Sequence, residues 1–375
     1  MDKRAYWVWL QHAFGAGSQK PNYLDKRFGS IAEFYEGGVK LWSEFTFISE
    51  REISSLQNFT PKGAEAQIEY AEKMGQLVLT PEEELYPDLL RNIEDPPAVL
   101  WVKGEIPDFD NILSISVVGS RKATPGALKT ANLLSYELSK KGAIIVSGGA
   151  LGIDAAAHRG AMMGGSPTVC VLACGIDVPY LMENQRLRNR IVEKGGALIT
   201  ENPVNTDVNK GVFAIRNRLM SGLSHGLLVV EAAKKSGTML TVKCATRQNR
   251  DLFAVPGDIH NPLAEGTNAL IRDGATPVSC VEDILNEYDE RFVSQRREPV
   301  SMLIDEEDEK PAASIILDVS KIAQEVYGVL QHTPMHISQI SIETGLRPSQ
   351  ILTAATELEL MGYIESYSGQ RFSRK

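Results

Sequence analysis

Three stretches of this chain place glycine, hydroxyl and cationic side chains at the point where an apolar run stops. Gly119-Ser120-Arg121-Lys122 follows ISVV, Ser147-Gly148-Gly149 follows AIIV, and KGVFAIRNR, from Lys210 to Arg218, follows a long polar segment. Glycine lets backbone approach an anion closely, amides at a helix start donate to phosphate oxygens, and arginine adds a planar fork of donors. The chemistry on offer at GSRK is therefore recognition of a phosphate, with Arg121 or Lys122 supplying charge. A plain strand-to-helix turn capped by Ser120 or Thr124 uses the same residue types, and both readings stand at this level. In SGGALGID the loop again offers close approach, with Asp154 as a helix N-cap instead of a general base.

In KGVFAIRNRLMSGLS, Phe213 stands between Lys210 and the pair Arg216 and Arg218. One aromatic ring among cations suits a single-stranded nucleic acid: bases stack, phosphates pair, and no base edge is read. A core Phe213 is the alternative. The charge around it is lopsided. The whole chain carries −9 and has an acidic run, IDEEDEK, at 304–310. Between residues 205 and 250, however, Lys210, Arg216, Arg218, Lys234, Lys235, Lys243, Arg247 and Arg250 face only Asp207 and Glu231. That distribution predicts a local cationic groove on an acidic protein.

Catalytic signatures do not emerge. There is no G-x-x-x-x-G-K-[ST], G-x-G-x-x-G or H-E-x-x-H, and no pair of carboxylates at a plausible catalytic spacing. His158 and His225 stand alone and read as packed residues. Cys170, Cys174, Cys244 and Cys280 form no C-x-x-C pair and read as reduced core thiols. We expect no catalytic residue, no metal and no cofactor.

These residues need elements to position them. A length of 375 residues with 43% hydrophobic side chains supports two or three domains with a substantial core. Residues 1–62 show short helical periods, predicting a small helical domain of the SAM or helix-hairpin-helix kind. Its Gly15-Ala16-Gly17 turn either touches a nucleic-acid backbone or packs two helices. Residues 63–289 alternate strand and helix patterns, predicting an α/β domain with an extended, doubly wound, Rossmann-like parallel sheet. Strands are expected at 115–119, 143–148, 168–173, 197–200, 226–232 and 251–257, with added edge strands from 76–104 and a long loop over 201–224. Ligands of such sheets sit beyond the carboxyl ends of the strands, where the three stretches fall.

Residues 290–318 read as a charged linker and 319–375 as a winged helix. The expected recognition helix, SQILTAATELELMG, holds Glu357 and Glu359 without lysine or arginine, which favours a protein contact over groove reading. This also weakens a third reading, a transcription regulator acting through the winged helix. No run approaches the roughly 20 apolar residues of a membrane span, and the start lacks a signal-peptide pattern. A cytoplasmic protein without membrane association is expected.

The runs VVGSRKATPG, SGGALGIDAAAH, ACGIDVPY, RNRLMSGLS, VVEAAKKSGTMLT and FAVPGDI occur in this order within residues 77–285. Together they resemble the DprA/Smf family, DNA processing protein A. The resemblance implies a non-enzymatic bacterial protein that binds single-stranded DNA without sequence preference and protects it during natural transformation. It further implies loading of RecA recombinase and homodimerisation through the Rossmann-like domain. Carried over by motif, the DNA contacts fall on Gly119, Ser120 and Arg121, on Lys210 and Phe213, and on Arg216, Asn217 and Arg218. Lys122 and Lys243 join them on local charge. The chain departs from the resemblance at Phe213-Ala214 and Tyr180-Leu181, where the family often has F-P and Y-P. Both departures are expected to relax the groove backbone. The alternative from another class is a nucleotide-processing Rossmann-like enzyme of the phosphoribohydrolase type. Against it, Val242 and Lys243 stand in the region where that enzyme's loop would carry its glutamate.

Overall fold

The computed structural model describes residues 2–208, 211–288, 292, 320–330, 334–361 and 363–374. They belong to two compact units, Met1–Met302 and Leu303–Lys375. Apart from Phe292, the expected linker over 290–318 lies outside the described residues.

The first unit begins with six helices: α1 Arg4–Phe14, α2 Lys20–Phe28, α3 Ile31–Glu36, α4 Gly38–Trp42, α5 Glu50–Asn58 and α6 Pro61–Lys73. Their ends are written in the sequence. Ser49 and Glu52 form a reciprocal capping box at α5, and Thr60 accepts from Gly63 N ahead of Pro61 at the start of α6. Trp7, Trp9, Phe34 and Trp42 fill the centre, and the same cluster takes in Val78 and Trp101 from the sheet that follows.

That sheet has nine strands: β1 Leu77–Leu79, β2 Leu100–Gly104, β3 Ser114–Val118, β4 Ile144–Ser147, β5 Thr168–Val171, β6 Ala197–Thr200, β7 Gly226–Val229, β8 Asp251–Ala254 and β9 Thr276–Pro277. Interleaved helices are α7 Asp88–Arg91, α8 Pro125–Lys140, α9 Ile153–Gly164, α10 Gln185–Glu193, α11 Val212–Gly222, α12 Thr238–Arg247, α13 Glu265–Arg272 and α14 Glu282–Leu285. The strand order is β1-β2-β6-β5-β4-β3-β7-β8-β9. Strands β3 to β9 run parallel, while β1 and β2 add an antiparallel edge, the expected extra strands. Every residue of β3 to β7 is buried, because helices cover both faces; hence the unbroken apolar runs in the sequence.

Strand β3 pairs with β4 on one side and β7 on the other, so the winding reverses there. Residues 201–224 are not one loop: α11 occupies half of them. Its arginines interrupt the apolar period by which a helix is recognised in sequence.

The second unit contains α15 Lys321–Val329, β10 Met335–His336, α16 Ile337–Thr344, α17 Pro348–Leu360, β11 Ile364–Tyr367 and β12 Arg371–Arg374. The strands form an antiparallel sheet in the order β10-β12-β11, and Gly345 makes the turn between α16 and α17 at φ +70°. This is a winged helix with its own core, including Val326, Ile340, Ile351, Leu358 and Phe372. Among the described residues no helix is long and apolar enough to cross a membrane.

Candidate nucleic-acid interface

The reversal between β3 and β7 marks, at the carboxyl ends of the strands, the crevice position where open α/β sheets hold ligands. The turn after β3 is locked into it. Ser120 N donates to Glu231 O at 2.8 Å, Ile153 N donates to Ser120 O at 3.2 Å, and Lys122 N donates to Ser120 Oγ at 3.1 Å. Glycine is required where the turn meets its neighbours. A Cβ on Gly119 would lie 2.6 Å from Ile153 Cγ1 and 2.9 Å from Glu231 O. One on Gly152, at φ +80°, would collide with Ser120 O. Glu231, 4% exposed, accepts from Thr124 N at 2.9 Å, Thr124 Oγ1 at 2.8 Å and Asn261 Nδ2 at 3.2 Å, tying α8's cap to the end of β7. The amides of Ser120, Lys122 and Thr124 are therefore already engaged internally. What this turn turns outward is charge, on the exposed Arg121 and Lys122.

Arg121 does not hang free. Its guanidinium carbon sits 5.3 Å from the centre of the Phe213 ring, a cation–π distance. Phe213, half-buried in the first turn of α11, also meets Tyr180, with ring centres 5.9 Å apart and planes tilted by 54°. Residues from the turn after β3, the loop after β5 and the first turn of α11 thus converge on one aromatic and cationic cluster. Lys210, expected to belong to it, lies outside the described residues.

The R-N-R stretch is placed differently from the expectation. Arg216, Asn217 and Arg218 are 6%, 7% and 5% exposed. Arg216 lies under the glycine loop after β4: its Nη1 donates to Val171 O at 2.7 Å, and a Cβ on Gly148 would overlap the guanidinium. Burial pulls Arg216 below its ordinary range, and Asp154 partly restores it. Asp154 is not the N-cap of α9. Gly152 holds that position, and the buried Asp154 carboxylate, pushed up by burial against the pull of Arg216, accepts from Ala150 N at 3.3 Å. Arg218 turns the other way. Its Nη2 donates to Glu201 Oε2 at 2.6 Å, Glu201 Oε1 accepts from Gly17 N at 2.9 Å, and Asp95 lies 3.4 Å from Nε. Burial pushes the Glu201 carboxyl up and Arg218 pulls it back. The Gly15-Ala16-Gly17 turn is accordingly packed on α11: a Cβ on Gly17 would lie 2.9 Å from Ile215 Cγ2.

The remaining expected residue, Lys243, is exposed five positions into α12, about 7.5 Å along the axis from its start. Lys234 and Lys235 are exposed in the turn after β7, three and four residues beyond Glu231, whose carbonyl accepts from Ser120 N. They and Tyr180 were not among the expected contacts, although the cation run and the aromatic in ACGIDVPY were visible in the sequence. His158 is a packed residue, as read: Nδ1 lies 2.8 Å from Thr168 Oγ1, and burial pushes the ring down to about 3. Cys170 and Cys174 are buried, whereas Cys280 is exposed, contrary to its reading as a core thiol. Among the described residues no group of three or more His, Cys, Asp or Glu could hold a metal ion.

Residues 77–289, the sheet and the helices around it, match the family described as DNA recombination-mediator protein A, and residues 309–370 match the DprA winged helix domain. The chain belongs to the DNA recombination-mediator protein A family. Protein Smf of Escherichia coli (strain K12) is 31% identical over 324 residues, 86% of this chain and 84% of that protein. The X-ray structure of DNA processing protein A from Streptococcus pneumoniae is similar with a TM-score of 0.64 at 26% identity, over 76% of this chain and 98% of that one. DNA processing protein A from Helicobacter pylori, whose structure describes a single-stranded DNA binding mode, aligns with a TM-score of 0.53 at 29% identity, over 58% of this chain and 97% of that one. Against this family background, Leu181 stands out. Its φ of +46° is closed to proline, whose ring fixes φ near −65°. The Tyr180-Leu181 departure therefore does not relax the backbone; it installs a left-handed residue beside the aromatic cluster.

Proposed function

We propose that the crevice at the carboxyl edge of the sheet binds single-stranded DNA without reading its sequence. In this reading the protein is a recombination mediator that shields incoming DNA and delivers it to RecA recombinase during natural transformation. It acts in the cytoplasm as a homodimer through the Rossmann-like domain. Residues 63–289 form the DNA-binding domain, 1–62 buttress it, and 319–375 form a separate winged-helix domain.

One observation carries the binding reading: the Arg121–Phe213 pair, 5.3 Å apart, at the reversal point of the sheet. A ring offers its face to any base and a guanidinium offers a fork to any phosphate, so the pair binds strand without discriminating sequence. Exposed Lys122, Lys234 and Lys235 extend the positive rim. The single-stranded DNA binding mode described for the Helicobacter pylori relative supports single-stranded DNA as the ligand class. No catalytic step is part of the proposal. Glu231 is bonded to Thr124 and Asn261, and Asp154 is buried against Arg216, so both acids hold loops in place.

The test is a titration of labelled oligo-dT and the matching duplex with wild type and Arg121→Ala across a salt series. Single-strand preference, a log–log salt slope of about −0.7 per neutralised phosphate, and weakening by the substitution are expected. A flat salt dependence or equal affinity for duplex overturns the reading. RecA filament assembly on a protein-coated strand, with and without this protein, tests the delivery step; an unchanged assembly rate removes it.

A further inference from the structure

Phe213 gives one place for a base, yet its ring is not alone. Tyr180 lies 5.9 Å away at a tilt of 54°, is half-buried, and sits on a loop held from beneath. Arg188, 4% exposed, donates from Nη2 to Tyr180 O at 2.5 Å and to Gln185 Oε1 at 2.7 Å. Asn184, 2% exposed, donates to Gly149 O at 3.0 Å, and its own amide donates to Leu181 O at 2.9 Å. These bonds hold Leu181 in the left-handed region, at φ +46°, and leave the neighbouring Met182 63% exposed. The left-handed region crowds the Cβ of a leucine against its backbone, so this conformation persists because the surrounding contacts fix it.

We propose, resting on the single-stranded DNA reading above, that Tyr180 is a second base-stacking position and that Arg188 is its positioning residue. Bases stacked on two rings tilted by 54° cannot remain parallel to one another. The strand must splay between neighbouring nucleotides at this point. A duplex cannot do so without losing base pairs, so the Phe213–Tyr180 angle selects single strands, while Arg121 and Lys122 hold either form by its phosphates.

The test compares oligo-dT with a fully abasic strand of equal length and equal charge, by anisotropy, for wild type, Tyr180→Ala, Tyr180→Phe and Lys122→Ala. One stacked base corresponds to roughly a 5- to 150-fold change in affinity. The preference of wild type for oligo-dT over the abasic strand should fall by about 5-fold or more in Tyr180→Ala and persist in Tyr180→Phe. Lys122→Ala should weaken both ligands by the same factor. The preference for single strand over duplex should fall together with the stacking preference. Arg188→Gln, read by the same ratio and by its melting temperature, should lower the ratio without matching the loss of overall affinity that removal of a phosphate contact gives. A Tyr180→Ala protein that binds oligo-dT with the wild-type preference overturns the inference alone. A wild type that does not bind oligo-dT overturns the reading beneath it.

Discussion

Two helices of this chain could meet nucleic acid, and they are built in opposite ways. Helix α11 carries Arg216 and Arg218 yet buries both, and only its first turn, with Phe213, reaches the crevice. The cation on that turn comes from another element, Arg121 after β3, and Lys122, Lys234 and Lys235 are exposed in the turns after β3 and β7. Helix α17, at the recognition position of the winged helix, exposes Ser349, Gln350, Thr353, Thr356 and Glu359. Its other acid, Glu357, accepts from Ser320 N and Oγ, both at 2.6 Å, which holds its carboxyl below the usual range. A fold that looks made for DNA thus lacks the charge, whereas a helix rich in arginine uses it internally. Composition of a segment does not locate a site; the positions that packing leaves outward do.

The largest expected effect separates the two units by acid. His158 in α9 is held neutral by burial, pushed down to about 3. Its folded pKa is depressed below the unfolded value near 6.5, so the unfolded chain binds the extra proton between those limits. Stability is complete above about pH 6.5 and is lost as pH falls toward 3. At 1.36 kcal/mol per unit the loss is on the order of 4–5 kcal/mol. All 4 tryptophans, Trp7, Trp9, Trp42 and Trp101, lie in the first unit. Their emission reports that unit alone, and an acid-insensitive midpoint through this window would contradict the burial of His158.

Next comes the division within R-N-R. Arg218→Ala leaves Glu201 buried without its cation and should cost about 3–5 kcal/mol, read as a fall in melting temperature. Arg121→Ala, at the surface, should leave melting unchanged within about 0.5 kcal/mol. A stable Arg218→Ala protein that has lost DNA binding would show that Arg218 faces the strand after all. Phe213→Ala belongs between these cases: stability is nearly kept, and affinity drops by the roughly 1–3 kcal/mol of one stacked base.

These contrasts mark how far the sequence could be read. The parallel strands were legible because sheets covered on both faces demand unbroken apolar runs, and the switch-point loops follow from strand order alone. Arg121 and Phe213 were legible as a cation and a ring at loop positions. Helix α11 was not, since two buried arginines read as polar positions and break its period. The burial itself was invisible because partners such as Glu201 and Val171 are distant in sequence. Tyr180 escaped for the same reason: its meaning lies in a ring from another element.

The smallest expected effect concerns the winged helix, and it bears most directly on the comparison. Counterion release makes strand affinity scale with the phosphates a surface neutralises, and α17 presents Glu359 among uncharged side chains. Removing residues 319–375 should therefore shift oligo-dT affinity by less than about three-fold, which is under 1 kcal/mol, and leave the salt slope unchanged. A slope that becomes shallower by one or more phosphates would mean that exposed Arg347 or Arg371 contributes and that the winged helix shares the strand with the crevice. An unchanged slope combined with a loss of RecA filament assembly would assign α17 to a protein partner, the role a surface without cations fits.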